Sequence, residues 1–188
     1  MITLPLTTKR LRIRMMRTED LQAFVEYRNQ PDVARNQDWA LPYTTEMAEG
    51  LIQDQFELDG PADGQWVQMA VEHGDEVIGD VAAGVHDSGR QATIGYTISA
   101  HAQGKGYATE AVAAVLAALF AEAGLHRVVA SIDPRNPASR RVLEKLGFRY
   151  EGRSPSSVFI RGEWTDDDHF ALLAGEHLAG ITANVEKK

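Results

Sequence analysis

Apolar positions along the chain follow two spacings, one typical of strands and the other of helices. Leu11–Met15 alternates apolar and basic side chains, which predicts a half-buried strand near the edge of a sheet. Between residues 108 and 123, apolar residues recur every three or four positions, which predicts a long helix with one apolar face. The same spacing predicts a shorter helix that begins at Thr44 or Thr45 and extends to about Phe56.

A further helix is predicted near the start of the chain. Thr18–Asp20 supplies an N-cap and first-turn acids for it. Gln30–Asp32 stops the helix, because a proline disfavours helical geometry in the residue before it. The following stretch, Val33–Tyr43, is expected to be irregular. Trp39 within it either lines a substrate pocket or, as the preferred interpretation, caps the core.

Four runs of β-branched and apolar residues predict strands in the middle of the chain. Trp66–Val71, Val77–Val85 and Ala92–Ile98 are separated by turn residues and predict three antiparallel strands. Val128–Ile132 is a continuous apolar run, which is typical of a central strand. Because the long helix lies between them, this strand can pair in parallel with Ala92–Ile98.

The last third of the chain completes the predicted fold. Asn136 is placed as the N-cap of a helix that begins with Pro137 and ends at Gly147. The last strands are predicted at Phe148–Glu151, Val158–Ile160 and His169–Leu173. From Gly175 onward the chain is expected to be peripheral. The order of elements predicts one α+β domain over residues 1–188, with a mixed, mostly antiparallel central sheet and helices on both faces.

A loop with two glycines, Gln103–Thr109, connects the strand Ala92–Ile98 to the long helix. The first turn of a helix has backbone N–H groups without internal partners, and the helix dipole adds positive potential there. Glycines let an anion approach those groups, and Lys105 adds a positive charge. The loop is therefore a candidate cradle for a phosphate or pyrophosphate. The alternative is a tight turn in which the glycines only satisfy backbone geometry.

Two nucleotide-binding signatures are missing from this loop. Gly106 follows Lys105 at the position where a P-loop has Ser or Thr. A third glycine at the spacing of a dinucleotide fingerprint is also missing. An enzyme that uses the loop to bind nucleotide phosphates is therefore disfavoured.

Composition narrows the function classes further. The chain has 188 residues, a net charge of −8 and no cysteine. The negative charge argues against a nucleic-acid partner and suits a neutral or cationic substrate such as an amine. No apolar run approaches the roughly 20 residues of a membrane span, and the first residues lack the apolar core of a secretory leader, so the cytoplasm is the expected location. Thiolate sites are excluded and the six histidines lack metal-binding spacing, so no metal is expected.

Two motifs at a characteristic separation carry a family resemblance. The pattern QxxGxA at residues 103–108 follows a predicted strand, and NPxS at residues 136–139 and EKLGF at residues 144–148 delimit the next helix. Together they resemble the GNAT acyltransferase superfamily. More closely, they are similar to its ribosomal-protein-alanine N-acetyltransferase branch, the RimJ/RimL-like proteins. The resemblance extends over about residues 8–174.

This resemblance implies that acetyl-CoA is the acyl donor. Backbone N–H groups of the loop would hold the pyrophosphate, the strand at Tyr96–Ile98 would bond the pantetheine amides, and the Asn136 side chain would bond the same arm. The sheet would splay at its parallel strand pair to admit that arm. The residues implied in cofactor binding are Tyr96, Ile98, Gln103, Gly104, Lys105, Gly106, Tyr107, Ala108, Thr109 and Asn136.

The resemblance also places Ser139 opposite the departing sulfur, as the candidate proton donor to the thiolate. A neutral amine must attack the thioester, so a base or a water chain must accept its proton. Some members of the branch carry an acid in the stretch that matches Ser157–Phe159, where this chain has none. The chemically possible substitutes are Asp80, Glu110 and Glu163. Asp166 matches a family aspartate that we interpret as structural.

Two functions of different classes follow. The first is an acetyl-CoA-dependent N-acetyltransferase whose acceptor is a protein or peptide N-terminus or a small-molecule amine. The second is a catalytically silent acyl-CoA-binding sensor or interaction module, which the missing acid near Val158 keeps open. The acceptor, the acyl chain length and the oligomeric state, with a homodimer as one option, are not fixed by the sequence.

Overall fold

The computed structural model describes residues 2–177, and a sheet of eight strands runs through them. The strands are β1 (Leu6–Thr7), β2 (Arg12–Met15), β3 (Trp66–His73), β4 (Glu76–His86), β5 (Gln91–Ile98), β6 (Arg127–Ile132), β7 (Arg149–Ile160) and β8 (Glu163–Leu173). Their order across the sheet is β1-β2-β3-β4-β5-β6-β8-β7. The pair β5–β6 is parallel and the other neighbouring pairs are antiparallel. The predicted mixed, mostly antiparallel sheet is confirmed.

Helices cover both faces of this sheet. They include α1 (Leu21–Arg28), α2 (Pro31–Ala34), α3 (Thr45–Asp54), α4 (Tyr107–Ala121) and α5 (Pro137–Lys145). Residues of α4 and α5 belong to one core cluster together with Met69 of β3, whereas residues of α1 and α3 belong to a second cluster together with Ala70. Because successive side chains of a strand point to opposite faces, the two clusters lie on opposite sides of the sheet. The predicted α+β fold is confirmed.

The last three predicted strands are parts of two longer ones. β7 and β8 form one antiparallel hairpin, whose register shifts between Tyr150 and Gly152 and again between Ser154 and Val158. These irregularities interrupt the alternation of apolar and polar positions, because a bulge moves the following side chains to the other face. The sequence pattern therefore revealed only fragments of each strand.

The start of α1 differs from the prediction. Thr18–Asp20 forms a turn of 3-10 helix, and the capping side chain is that of Asp20 rather than Thr18. The Asp20 carboxylate accepts the Arg17 N–H at 2.7 Å and forms a buried ion pair with Arg14, 2.6 Å to Nη1. Arg14, which belongs to β2, thus determines which side chain caps the turn, and local propensity alone does not show this.

The segment after α1 is less irregular than expected. Helix α1 ends at Arg28, before the stop predicted at Gln30–Asp32, and Pro31 is then the first residue of the short helix α2, where its missing N–H leaves no bond unmade. Helix α3 begins as predicted, with the Thr44 hydroxyl accepting the Met47 N–H. Its buried face carries Ala48 and Ile52, while Phe56 lies beyond the helix end and is 73% exposed.

Two further expectations concerned the tail from Gly175 onward and the absence of a membrane span. Residues 178–188 of the tail predicted to be peripheral lie outside the described residues. None of the helices within residues 2–177 combines the length and the apolar character that crossing a membrane requires.

Candidate functional site

The two parallel strands separate after a short stretch of pairing. The register between β5 and β6 covers Gln91–Thr93 against Arg127–Val129 and then ends. Beyond it, the second half of β5 continues to pair with β4, and the second half of β6 continues to pair with β8. A gap therefore opens between their C-terminal halves, edged by peptide groups that need partners. The predicted splay of the sheet is present at this pair.

The glycine loop follows directly at the end of β5. Gly104 and Gly106 have φ angles of +75° and +82°, a region that glycine occupies without a steric penalty. The first helical bond of α4 runs from the Glu110 N–H to the Gly106 carbonyl at 3.1 Å. Within residues 2–177, the N–H groups of residues 104–109 donate to no other backbone group. A Cβ added at Gly104 would meet no atom within 4 Å, so the space beside this glycine is open.

The predicted loop residues thus come together. Tyr107, Ala108 and Thr109 form the first turn of α4, and Lys105 is exposed before it. The side chain of Gln103 turns back, and its Nε2 donates to the carbonyl of Ile98 at 2.9 Å, which closes the loop onto the end of β5.

Arg10 is a contributor to this loop that the sequence did not reveal. Its Nη1 donates to the carbonyl of Lys105 at 3.0 Å, its guanidinium lies 4.5 Å from the ring centre of Tyr107, and its Nε donates to Glu110 at 2.7 Å. Partial burial opposes ionisation of Glu110, but hydrogen bonds from Thr8 and Arg10 outweigh it and lower the pKa. Glu110 therefore holds the loop to the N-terminal segment and is engaged as an anchor rather than available as a base.

Three predicted residues face one another across the gap. The Asn136 Oδ1 accepts the Ser139 N–H at 3.0 Å, which confirms its predicted N-cap position and leaves Nδ2 out of that bond. The Tyr96 hydroxyl lies 2.7 Å from Ser139 Oγ and 3.1 Å from the Ser139 carbonyl oxygen. Burial raises the pKa of Tyr96 to about 12, against the opposing effect of the hydrogen bond with Ser139. A side chain of β5 thus reaches the first turn of α5.

A cavity of about 230 Å³ lies at the C-terminal end of β6. The segment after α2, the end of β6 and the hairpin β7–β8 form its walls. Of the described residues that line it, four are acids and none is Lys or Arg. The acids are Asp38, Asp133, Asp166 and Asp167. A cavity of this charge attracts cations.

Asp167 lines this cavity and, among the residues that the structure describes, forms no ion pair with an arginine. Its side chain is 15% exposed, and burial raises its pKa, with the charges of Asp133 and Asp168 acting in the same direction. Ser131 and His169 oppose that rise. Asp133 and Asp166, by contrast, are paired with Arg135 at 2.7 Å and with Arg153 at 3.7 Å. Sequence reasoning missed Asp38, Asp133 and Asp167, because the chain segments that carry the acids of the cavity meet only in the fold.

Asp80 and Glu163, which the sequence offered as possible bases, do not line this cavity, whereas Asp166 does. Asp80 is 1% exposed and accepts hydrogen bonds from Tyr27 and Gln68, and burial raises its pKa. Glu163 is exposed and pairs with Arg135 at 2.9 Å. Asp166 accepts the Ser156 N–H at 2.9 Å, a contact that holds the hairpin and agrees with the structural role expected for it.

Trp39 is partly buried against the second core cluster, and its Nε1 donates to the Arg28 carbonyl at 3.2 Å. This placement supports the interpretation of Trp39 as a core cap, although its neighbour Asp38 lines the acidic cavity. A larger cavity of about 450 Å³ lies beside the N-terminal strands and is lined by no residue of β5, β6 or the glycine loop. We therefore place the candidate site at the gap.

Comparison with known proteins decides the family. Residues 10–149, well over half of the chain, match the family described as acetyltransferase (GNAT) domain. The chain belongs to the GNAT acetyltransferase family. A Bacillus subtilis relative of this acetyltransferase, YnaD, is named an uncharacterized N-acetyltransferase. It is 30% identical over 171 residues, which are 91% of this chain and 98% of YnaD.

Two further proteins connect this acetyltransferase to the predicted branch. The ribosomal protein uS5-alanine N-acetyltransferase of Escherichia coli is 27% identical over 184 residues, which cover 93% of each chain. Mycobacterium smegmatis RimJ, solved in complex with CoA-disulfide, is 25% identical with a TM-score of 0.77, covering 92% of this chain and 89% of that one. The RimJ-like resemblance is confirmed, and the protein is an N-acetyltransferase.

Proposed function

We propose that this acetyltransferase transfers the acetyl group of acetyl-CoA directly to a cationic amine. The observation that carries the proposal is the gap between β5 and β6, because it connects the two halves of the site. The C-terminal end of β5 leads into the glycine loop, and the C-terminal end of β6 lines the acidic cavity. A donor held along β5 would therefore meet an acceptor held beside β6.

The residues at the gap fit coenzyme A. The unpartnered amides of residues 104–109 and the charge of Lys105 suit a diphosphate. The free edge of β5 at Tyr96–Ile98 suits the amide groups of an extended pantetheine arm, as an added strand would be bound. Asn136 has a side-chain donor for the same arm. That M. smegmatis RimJ was solved with CoA-disulfide supports this donor, and acetyl-CoA would supply an activated acyl group.

The acceptor is inferred from the charge of the cavity. Carboxylates attract an ammonium group from water, and deprotonation then yields the neutral amine that attacks. A protein N-terminus, as in the name of the E. coli relative, and a small-molecule amine both satisfy this chemistry. Ser139, at the start of α5, would donate a proton to the leaving thiolate.

Release of CoA thiol from acetyl-CoA tests the proposal. Because the chain contains no cysteine, a thiol reagent will report only the product. We expect release that depends on an amine or peptide acceptor, with acetylated acceptor detected by mass spectrometry. Tight binding of CoA without turnover on a broad panel of diamines, amino acid amides and peptides would instead favour the silent sensor.

A further inference from the structure

Among the described residues, the Tyr96 hydroxyl has two polar contacts, and both are to Ser139. Its oxygen lies 2.7 Å from Ser139 Oγ and 3.1 Å from the Ser139 carbonyl oxygen. Tyr96 belongs to β5 and Ser139 to the first turn of α5, so this contact crosses the gap in which the proposed donor would lie. The side chain is partly buried between the two elements.

The two hydroxyls share two protons, and this limits how they can be arranged. In one arrangement Tyr96 donates to the Ser139 carbonyl, and Ser139 donates its proton to the Tyr96 oxygen. In the other, Tyr96 donates to Ser139 Oγ, and the serine proton is free to point into the gap. Only the second arrangement lets Ser139 act as a proton donor toward the gap.

A serine hydroxyl by itself is a poor acid, because loss of its proton leaves an alkoxide. A phenol is more acidic, and a phenol bonded to that oxygen can replace the proton as it leaves. Tyr96 is placed for this replacement, since its oxygen is at ordinary hydrogen-bond distance from Ser139 Oγ.

We infer that Tyr96 is a positioning residue that acts through Ser139 as the second member of a two-proton relay; this inference rests on the proposed acetyl transfer. As the carbon–sulfur bond of the thioester breaks, the proton of Ser139 Oγ forms the S–H bond of the leaving thiol. The phenol proton of Tyr96 moves to Ser139 Oγ, and the phenolate later takes up from solvent a proton that replaces the one the attacking amine has released there. Charge and protons balance without a further reactant.

The test compares Tyr96→Phe, which removes only the hydroxyl, with the matched control Tyr150→Phe in β7. Single-turnover acetyl transfer is measured in mixtures of H2O and D2O. We expect a curved dependence of rate on deuterium fraction for the wild type and for Tyr150→Phe, because two protons move. Tyr96→Phe is expected to be about 100-fold slower, in the range of general acid catalysis, with a linear dependence. The double variant with Ser139→Ala is expected to be no slower than Ser139→Ala alone.

Two measurements without turnover separate a relay from a structural role. Tyr96→Phe is expected to bind CoA within about two-fold of the wild type in calorimetric titration, because β5 would bond the pantetheine arm through backbone groups that the substitution keeps. The tyrosinate absorbance of Tyr96 is obtained as the difference between proteins with and without Tyr96→Phe. It is expected to titrate at higher pH in the Ser139→Ala variant, because this variant lacks the hydrogen bond that lowers the pKa of Tyr96.

The outcomes that overturn the inference are distinct. If the wild type transfers acetyl, three results for Tyr96→Phe overturn the relay alone. They are an unchanged rate, a dependence on deuterium fraction that stays curved, and a loss of CoA affinity. A wild type that transfers acetyl to no amine overturns the proposed function and the relay with it.

Discussion

Arg10 donates from Nη1 to the carbonyl oxygen of Lys105 at 3.0 Å, although 95 residues separate them in the sequence. The bond fixes the peptide group between Lys105 and Gly106, whose N–H belongs to the proposed diphosphate cradle. The same guanidinium pairs with Glu110 in the first turn of α4. A residue of the N-terminal segment thus sets the orientation of the glycine loop between β5 and α4.

Arg10→Ala is expected to weaken CoA binding about five- to ten-fold, because the loop amides lose their fixed orientation and must be ordered on binding. Titration calorimetry with CoA measures the change. Arg12→Ala is the matched control, since Arg12 is also exposed but pairs with Glu72 away from the loop. Equal affinities of the two variants would contradict this role of Arg10.

Gly104→Ala is expected to cost about 1–2 kcal/mol of folding stability, because its φ of +75° is strained for any residue with a Cβ. The added methyl group also strains the loop that carries the proposed diphosphate cradle, so CoA affinity is expected to fall as well. Gly50→Ala in α3 provides the control. An added Cβ there meets no atom within 4 Å, and alanine in a helix is expected to stabilise by about 1 kcal/mol. Thermal melting with and without CoA checks both directions.

Asp167→Asn is expected to raise the KM for a cationic amine about ten-fold, because one carboxylate of the acidic cavity loses its charge. The KM for acetyl-CoA is expected to stay unchanged. Asp54→Asn removes the same charge from the end of α3, outside the cavity lining, and serves as the control. Initial rates over a grid of both substrates separate the two constants. A rise in the KM for acetyl-CoA alone would place Asp167 on the donor side instead.

Asp168→Asn is expected to destabilise the protein by about 1–3 kcal/mol near pH 7. The buried Asp168 carboxylate accepts from Arg153 Nε at 2.7 Å, and this hydrogen bond is the main cause that lowers the pKa of Asp168. An acid with a lowered folded-state pKa stabilises above its ordinary pKa, and that stabilisation is lost as the pH falls through the folded-state pKa.

The difference in unfolding free energy between the wild type and Asp168→Asn should therefore be constant from pH 7 to about pH 5 and shrink below about pH 4. Urea denaturation at several pH values measures it. The exposed Asp32→Asn is the control, with an expected effect within about 0.5 kcal/mol at each pH. A difference for Asp168→Asn that stays constant down to pH 3 would exclude this carboxylate as its source.

Much of the fold was predictable because residues close together in the sequence determine its helices and strands. The apolar face of α4, the Asn136 cap and the continuous apolar run of β6 depend on residues within a few positions of one another. The parallel pairing of β5 and β6 follows from the helix between them. The glycine loop could be placed for the same reason, since a strand end and a helix start define it.

The missed features depend on contacts between distant segments. Arg10 reaches the loop across 95 residues, and the acids of the cavity come from the segment after α2, the end of β6 and β8. Asp20 rather than Thr18 caps the turn before α1, because Arg14 holds the Asp20 carboxylate in place. The residue pattern of a single segment cannot show contacts between distant segments. The sequence alone therefore predicted the part of the site proposed to bind the donor better than the part proposed to bind the acceptor.

Only three residue pairs join β5 to β6, and this short ladder is where five strands of the sheet meet the other three. An extended ligand that bonds to the free edge of β5 would fill the interrupted part of the ladder and act as a temporary strand. Loading the donor would then stiffen the seam between the two parts of the sheet. When the donor is bound, amide hydrogen exchange is expected to become slower along the second halves of both strands, because the substrate supplies the strand that the sheet lacks there.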